Sequence, residues 1–306
     1  MFKTKLTIGL VLSATICLSL FNMVIILLST HHRSNTVKGL RVGDNGQVEL
    51  DLAGILMPGD APTDAFLKDP IINKHDYKYI HNPSGLCQNR TINLLVGVVS
   101  TPKNFWQRKR GRRFGNADDG IIVVFILGMA DSNGLQRRVN QEFKHHNDVL
   151  QSAIVETPRN LSLKTVALLK WASTHCSGAK FVLKKDDDVE LEPYSILNAL
   201  RRKYERFQNF IMGNSKYLVE GPIRQEVSKY YTSYAEYGEP FFPMFVHGPA
   251  YGFPMKTVEI LYQVSLRTKL FWLEDVYVTG ICAKRANIPV FFDIRFIYEH
   301  VGIDMI

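Results

Sequence analysis

Short apolar runs alternating with helix-patterned stretches after residue 90 predict an α/β domain with a mostly parallel central sheet flanked by helices, and a long apolar segment near the start predicts an N-terminal transmembrane anchor. Ile92 to Val99, Ile121 to Leu127, Val149 to Val155 and Ala179 to Leu183 each have the length and composition of a buried strand. Between them, Leu135 to His146 and Leu161 to His175 carry helical spacing, the second with Leu161, Leu168 and Trp171 on one face behind Asn160 as cap. Strand–helix–strand units of this length favour right-handed crossovers, which place ligands beyond the carboxyl ends of the strands.

The segment Leu6 to Leu28 is interrupted only by small polar residues and Asn22, and is long enough to cross a bilayer. A cleaved signal peptide is the alternative, but its apolar core spans only roughly 7 to 15 residues and no small-x-small site follows here. Lys3 and Lys5 precede the span while Arg33, Lys38 and Arg41 follow it, so basic flanks do not set its orientation. The sequons Asn89-Arg90-Thr91 and Asn160-Leu161-Ser162 favour a lumenal region after the span, with Asn89 and Asn160 as glycosylation sites. The expected layout is a cytoplasmic tail at 1-5, an anchor at 6-28, an irregular lumenal stem at 29-88 and a catalytic domain at 89-306. Beyond the anchor, Cys87, Cys176 and Cys282 allow at most one internal disulfide. Cys176 with Cys282 is the first pair to test, although sequence does not set connectivity.

A hydrophobic share of 46% supports a large core, and a net charge of +8 suits nucleotides, acidic glycans or membrane surfaces without choosing among them. The run Arg108-Lys109-Arg110-Gly111-Arg112-Arg113 would suggest nucleic acid in a soluble chain. Behind an anchor it fits nucleotide phosphates, an acidic acceptor or a solvated surface better, so no nucleic-acid partner is expected. No internal repeat supports a solenoid, and a homodimer stays open.

The sharpest motif is Asp186-Asp187-Asp188, directly after the Phe181-Val182-Leu183 strand. Adjacent carboxylates repel, and a divalent cation such as Mn²⁺ or Mg²⁺ relieves that repulsion through hard oxygen ligands. Such a cation bridges phosphates and neutralises a departing nucleoside diphosphate. Alternation along an extended segment pairs Asp186 with Asp188 and turns Asp187 elsewhere. A solvated acidic turn is the plain alternative. Glu274-Asp275 opens a helix-like stretch, where acids serve as caps or, functionally, as the base that deprotonates an attacking hydroxyl; Asp275 is preferred over Glu274. His300 reads either as a third metal ligand or as a structural histidine.

Residues 98 to 289 resemble the β-1,3-galactosyltransferase family, which includes β-1,3-N-acetylglucosaminyltransferases. Val98-Val99-Ser100 with Asn104-Phe105, Arg108 and Arg112 resembles its first block, and Phe125-Ile126-Leu127-Gly128 its second strand. Glu142, Asp148, Asn160 to Thr165, Trp171, Cys176 and Phe181 to Val189 follow at the family's spacing. Pro243, Gly248 and Tyr251 match a donor-side glycine loop, and Glu274 to Val278 the late acidic motif. The resemblance implies a GT-A fold, a single-pass type II Golgi anchor, dependence on Mn²⁺ or Mg²⁺, and inverting transfer of galactose or an N-acetylhexosamine from a UDP-sugar to a glycan hydroxyl on glycoprotein or glycolipid. It implies Asp186 and Asp188 as metal and donor contacts and Asp275 as the base. The residues themselves add His300 as a candidate third metal ligand, Glu274 as a second catalytic acid, and Arg108, Arg112, Asp187, Gly248 and Tyr251 as candidate donor contacts. Two departures stand out: Gly111-Arg112-Arg113-Phe114 replaces the usual Ile-Arg-x-Thr-Trp, and Pro249 stiffens the glycine loop. They motivate a rival, a catalytically silent membrane-tethered binding module. A metal-dependent phosphohydrolase is a third reading.

Overall fold

A computed structural model describes residues 63–215 and 220–300, together with the backbone of two short strands. The expected anchor at 6-28 lies outside the described residues. The two short strands, β1 (Leu40–Val42) and β2 (Val48–Leu50), form an antiparallel pair within a separate N-terminal unit.

The larger unit is built on an eight-stranded sheet. Its strands in chain order are β3 (Tyr79–His81), β4 (Leu94–Val99), β5 (Ile121–Leu127), β6 (Val149–Ser152), β7 (Phe181–Asp186), β9 (Ile211–Gly213), β10 (Ala250–Pro254) and β11 (Val290–Phe292). Across the sheet they lie in the order β11-β9-β10-β7-β4-β5-β6-β3. The centre, β6-β5-β4-β7, is parallel as the crossovers require, whereas β10 runs antiparallel to both β7 and β9, and β3 antiparallel to β6. The expectation of a mostly parallel sheet therefore holds for the centre, and the whole is mixed. A separate short pair joins β8 (Val189–Glu190) to β12 (Glu299–His300).

Every residue of β4 and β5 is buried, because helices cover both faces of the sheet. Alternate side chains divide between two cores. Leu95, Val124 and Ile126 meet α3 (Leu161–His175) and α5 (Met255–Ser265), whereas Val96, Val98 and Phe125 meet α2 (Asn133–His146) and α4 (Pro193–Tyr204). Packing of α3 is so close that a Cβ on Gly97 would lie 2.3 Å from Leu168. The Ser132 hydroxyl caps α2 by accepting from Leu135 N–H, and Glu192 caps α4 through Tyr194 and Ser195 N–H. Asn160 precedes α3 without capping it, since its amide donates instead to the Val155 carbonyl at 2.9 Å. Among the described residues the first α-helix, α1 (Phe105–Gly111), carries most of the basic run, and a π-helical segment, Val276–Cys282, follows Asp275 and runs into α6 (Ala283–Arg285).

Two expectations are corrected here. From residue 63 onward the supposed stem belongs to the domain: β3 completes the sheet, Phe66 is buried in the core, and the Asn73 amide donates to the Ser265 carbonyl at 3.0 Å. The disulfide joins Cys87 to Cys176, not Cys176 to Cys282. Cys87 follows the edge strand and meets the end of α3, while Cys282 is enclosed in the core, where burial pushes its thiol up to about 12.

Candidate active site

The carboxyl end of β7 carries the acids, as the α/β rule anticipates. Lys184 and Asp186 lie two apart on a strand, hence on one face, and the fully buried Lys184 Nζ donates to Asp186 Oδ1 at 2.7 Å. The same ammonium donates to the Gly248 carbonyl at 2.6 Å and pairs with Glu274 Oε2 at 3.4 Å. Glu274 is buried and accepts the Tyr251 hydroxyl on its other oxygen. Asp275 accepts the Gly248 N–H at 3.0 Å and the Val276 N–H at 2.9 Å. Gly248 is thus gripped from both sides, and a Cβ there would stand 3.3 Å from Asp275 Oδ2. Pro249 adds a further tie, its carbonyl accepting from Asp186 N–H at 2.9 Å.

Electrostatics follow from this crowding. Burial raises the carboxyls of Asp186, Glu274 and Asp275 above the usual range, although Lys184 opposes the rise in all three. For Asp186 the charges of Asp188 and Asp187 add to it, and for Glu274 that of Asp275 does. Burial alone would lower Lys184, but Asp186 and Glu274 outweigh it and hold the ammonium charged. Burial beside Glu274 lifts the Tyr251 phenol far above its ordinary value, so Tyr251 serves as a donor to Glu274.

Asp187 points away from Asp186, as alternation demands. It accepts from Ser100 Oγ at 2.5 Å and Asn104 Nδ2 at 2.9 Å, both on Oδ2, so this carboxylate locks the first block onto β7. Arg108 is tied into the same block. Its guanidinium is completely buried, donating to Glu142 at 2.7 Å, to the Thr101 carbonyl at 2.5 Å and to Ser100 Oγ at 3.3 Å. Arg112 is spent on Asp148 at 2.7 Å and Glu142 at 2.8 Å, above the Phe125 ring. Burial would raise Glu142, yet the two guanidinium groups pull its carboxyl below the usual range. Arg108 thus has no donor left for a diphosphate, whereas Arg112 keeps one terminal nitrogen unbonded. Arg110, two residues from each, is the one turned to the acids: it donates to the Asp187 carbonyl at 3.3 Å and pairs with Glu190 at 3.2 Å, while one of its terminal nitrogens is buried without a partner.

The β8–β12 pairing brings His300 opposite Val189, which sets its Nδ1 3.5 Å from Asp188 Oδ2. Both side chains are exposed, at 45% and 48%, and Asp186 is 32% exposed. Carboxylate oxygens on Asp186 and Asp188 with an imidazole nitrogen form a donor set suited to Mn²⁺, and the repulsion that Asp188 and Asp187 exert on Asp186 is what a cation would relieve. Among the described residues these groups are not drawn together into a closed ligand cluster. Of the two sequons, Asn89 is exposed on a left-handed turn, φ 55°, whereas the Asn160 sequon is built into the fold, with Ser162 buried and bonded to the Phe271 carbonyl at 2.6 Å.

Sequence reading passed over three groups. Lys184 is the hub of the acids, Arg110 is the basic residue facing them, and Lys164 donates to the Ser100 carbonyl at 2.5 Å while paired with Glu156 at 3.0 Å. Helical spacing carries the signal for the arginines: Phe105 and Arg108 share the inward face of α1, Arg112 just past its end continues that face, and Arg110 falls off it.

Residues 103–291 match the family described as Galactosyltransferase. Mouse beta-1,3-galactosyltransferase 1 is 30% identical over 232 residues, covering 72% of this chain and 68% of that protein. Human lactosylceramide 1,3-N-acetyl-beta-D-glucosaminyltransferase is 31% identical over 242 residues, covering 73% and 63%. Among solved structures, a mannosyltransferase from Pyrobaculum calidifontis in complex with GDP-Man and Mn²⁺ overlaps at 13% identity, 78% and 62% coverage and a TM-score of 0.42, too loosely to bear on the chemistry. The chain is a glycosyltransferase. It belongs to the Galactosyltransferase family.

Proposed function

We propose that this glycosyltransferase is a metal-dependent, inverting hexosyltransferase of GT-A type that moves galactose or an N-acetylhexosamine from a UDP-sugar to a hydroxyl of a glycan on glycoprotein or glycolipid. The observation that carries this reading is the Lys184 junction, which gathers Asp186, the Gly248 loop and Glu274 beside Asp275 at the end of β7. Asp275 takes the proton of the acceptor hydroxyl, the freed oxygen forms a bond to the anomeric carbon, and the bond to UDP breaks on the opposite face. Gly248 N–H and Val276 N–H hold Asp275 in place for that step, while Tyr251 and Lys184 fix Glu274 behind it. Asp186, Asp188 and His300 are the residues that would hold Mn²⁺ or Mg²⁺, whose Lewis acidity neutralises the departing diphosphate. The apolar segment Leu6 to Leu28 supports a type II Golgi-membrane setting, with Asn89 as a lumenal glycan acceptor.

The test is incubation of the protein with Mn²⁺, a panel of UDP-sugars and glycan acceptors, measuring glycosylated product and released UDP together. Asp275→Asn is expected to lower kcat by about 10² to 10⁴-fold, the range of a lost general base. Asp188→Ala is expected to weaken Mn²⁺ activation. UDP release without product in the unmodified protein would point instead to hydrolysis, and no turnover with any donor to a silent binding module.

A further inference from the structure

We propose a second, anion-binding site at the end of β7 opposite the acids, taking a sulfate or phosphate ester. A cavity of about 300 Å³ opens there, with Lys180, Arg201 and Lys256 around a wall that includes Phe181, Tyr204 and Met255. Its place follows from register. β7 runs from Phe181 to Asp186, and at about 3.3 Å per residue its two ends stand roughly 16 Å apart. β10 returns antiparallel and sets Pro254 beside Phe181, so the chain enters α5 at this same edge and brings Lys256 to it. The cavity therefore lies at the amino end of the central strands, away from the ligand-binding end that holds Asp186, Gly248 and Asp275.

Three features give this cavity its chemistry. The side chains of Lys180, Arg201 and Lys256 make no hydrogen bond or ion pair among the described residues, so three like charges face one concavity without a counter-charge. An anion between them relieves that repulsion, and the arginine fork adds bidentate geometry that a sulfate or phosphate matches. The Phe181 and Tyr204 rings meet edge to face, with centroids 5.5 Å apart, and give the cavity a firm apolar side against which the ring or chain bearing the ester can lie. The same chemistry is presented by a sulfated or phosphorylated sugar and by an anionic lipid headgroup. Neither reading depends on the metal or on the base assigned to the transfer reaction.

Binding is measured by calorimetry on the intact protein, with N-acetylglucosamine 6-sulfate and 6-phosphate against unmodified N-acetylglucosamine. A parallel sedimentation assay uses vesicles of phosphatidylcholine with and without a phosphatidylinositol phosphate. The variant Lys180→Ala/Arg201→Ala/Lys256→Ala alters exposed side chains only, and Arg113→Ala/Arg137→Ala/Lys144→Ala removes equal charge from exposed positions elsewhere. The first variant should lose affinity for the ester by on the order of tenfold per contact removed, and the second should not. Binding of the soluble esters identifies a glycan source, and binding confined to the charged vesicles identifies a lipid one; either supports the site. Equal loss in both variants, equal binding of sulfated and unmodified sugar, or no binding in either arm overturns it. Transfer activity is read separately, so failure of the proposed reaction leaves this result interpretable.

Discussion

Replacing Lys184 by methionine tests whether the acids are held together by one buried cation. The substitution keeps the length of the side chain and removes a fully enclosed ammonium, leaving Glu274 with only the Tyr251 hydroxyl and Gly248 with an unmatched carbonyl. Glu274 Oε2 has no hydrogen-bond donor of its own and depends on Lys184 at 3.4 Å for its counter-charge. Breaking a buried pair by removing one partner costs about 3 to 5 kcal/mol, most of it the orphaned charge. With a urea slope of about 3 kcal/mol per molar, that lowers the unfolding midpoint by roughly 1 to 1.7 M. Urea titration followed by tryptophan fluorescence reads the shift directly. Adding Glu274→Gln to Lys184→Met removes the orphaned charge and should restore at least about 2 kcal/mol. A loss below about 1 kcal/mol in the single variant, or no recovery in the double, would refute the argument, because Glu274 would then already be neutral in the native protein.

Cys87→Ala should destabilise the domain by about 2 to 5 kcal/mol, since the bond closes a sequence separation of 89 residues and restrains the unfolded chain; reduction of the unmodified protein should give a similar denaturation midpoint. His75 is buried, with neither ring nitrogen bonded, and burial lowers its imidazole from 6.5 to about 4. The fold therefore favours the neutral ring, so this contribution is complete above pH 6.5 and is lost as pH falls toward 4, by about 3 kcal/mol. His75→Asn, which does not titrate and tolerates the φ of 45°, should flatten the stability profile across that window in urea titrations run at several pH values. Gly128→Ala would set a Cβ 2.4 Å from the Ile154 carbonyl and should cost about 1 to 3 kcal/mol, measured by the same unfolding assay; a neutral result would mean that this loop yields easily.

Periodicity made the interior legible. Ile121–Leu127 forms the strand its apolar run suggests, and α3 spans the expected Leu161–His175, because continuous apolar runs and three-to-four spacing are direct images of burial. The acids at the end of β7 were legible for the same reason. Asp186 and Asp187 separate onto opposite faces as a period of two requires, and that rule, applied one step earlier, also couples Lys184 to Asp186. The setting of the arginines was not legible in composition, since a basic run does not say which of its members turn inward. Arg108 and Arg112 do so because Glu142 and Asp148 wait there, from α2 and the start of β6, and such pairing is a property of tertiary packing. Cysteine connectivity failed for a related reason: nothing local to Cys87 announces that a three-residue edge strand will carry it to the end of α3.

That edge strand decides where the protein can be shortened. A chain begun at residue 89 would keep every acid described above, yet it would strip β3 from β6 and bare a row of unpaired backbone groups along the outer margin of the sheet. It would also leave Cys176 as a lone thiol and deprive the Trp171 indole of its acceptor on Asn82. Soluble forms begun there should self-associate through strand pairing, whereas a start before residue 63 keeps that margin closed.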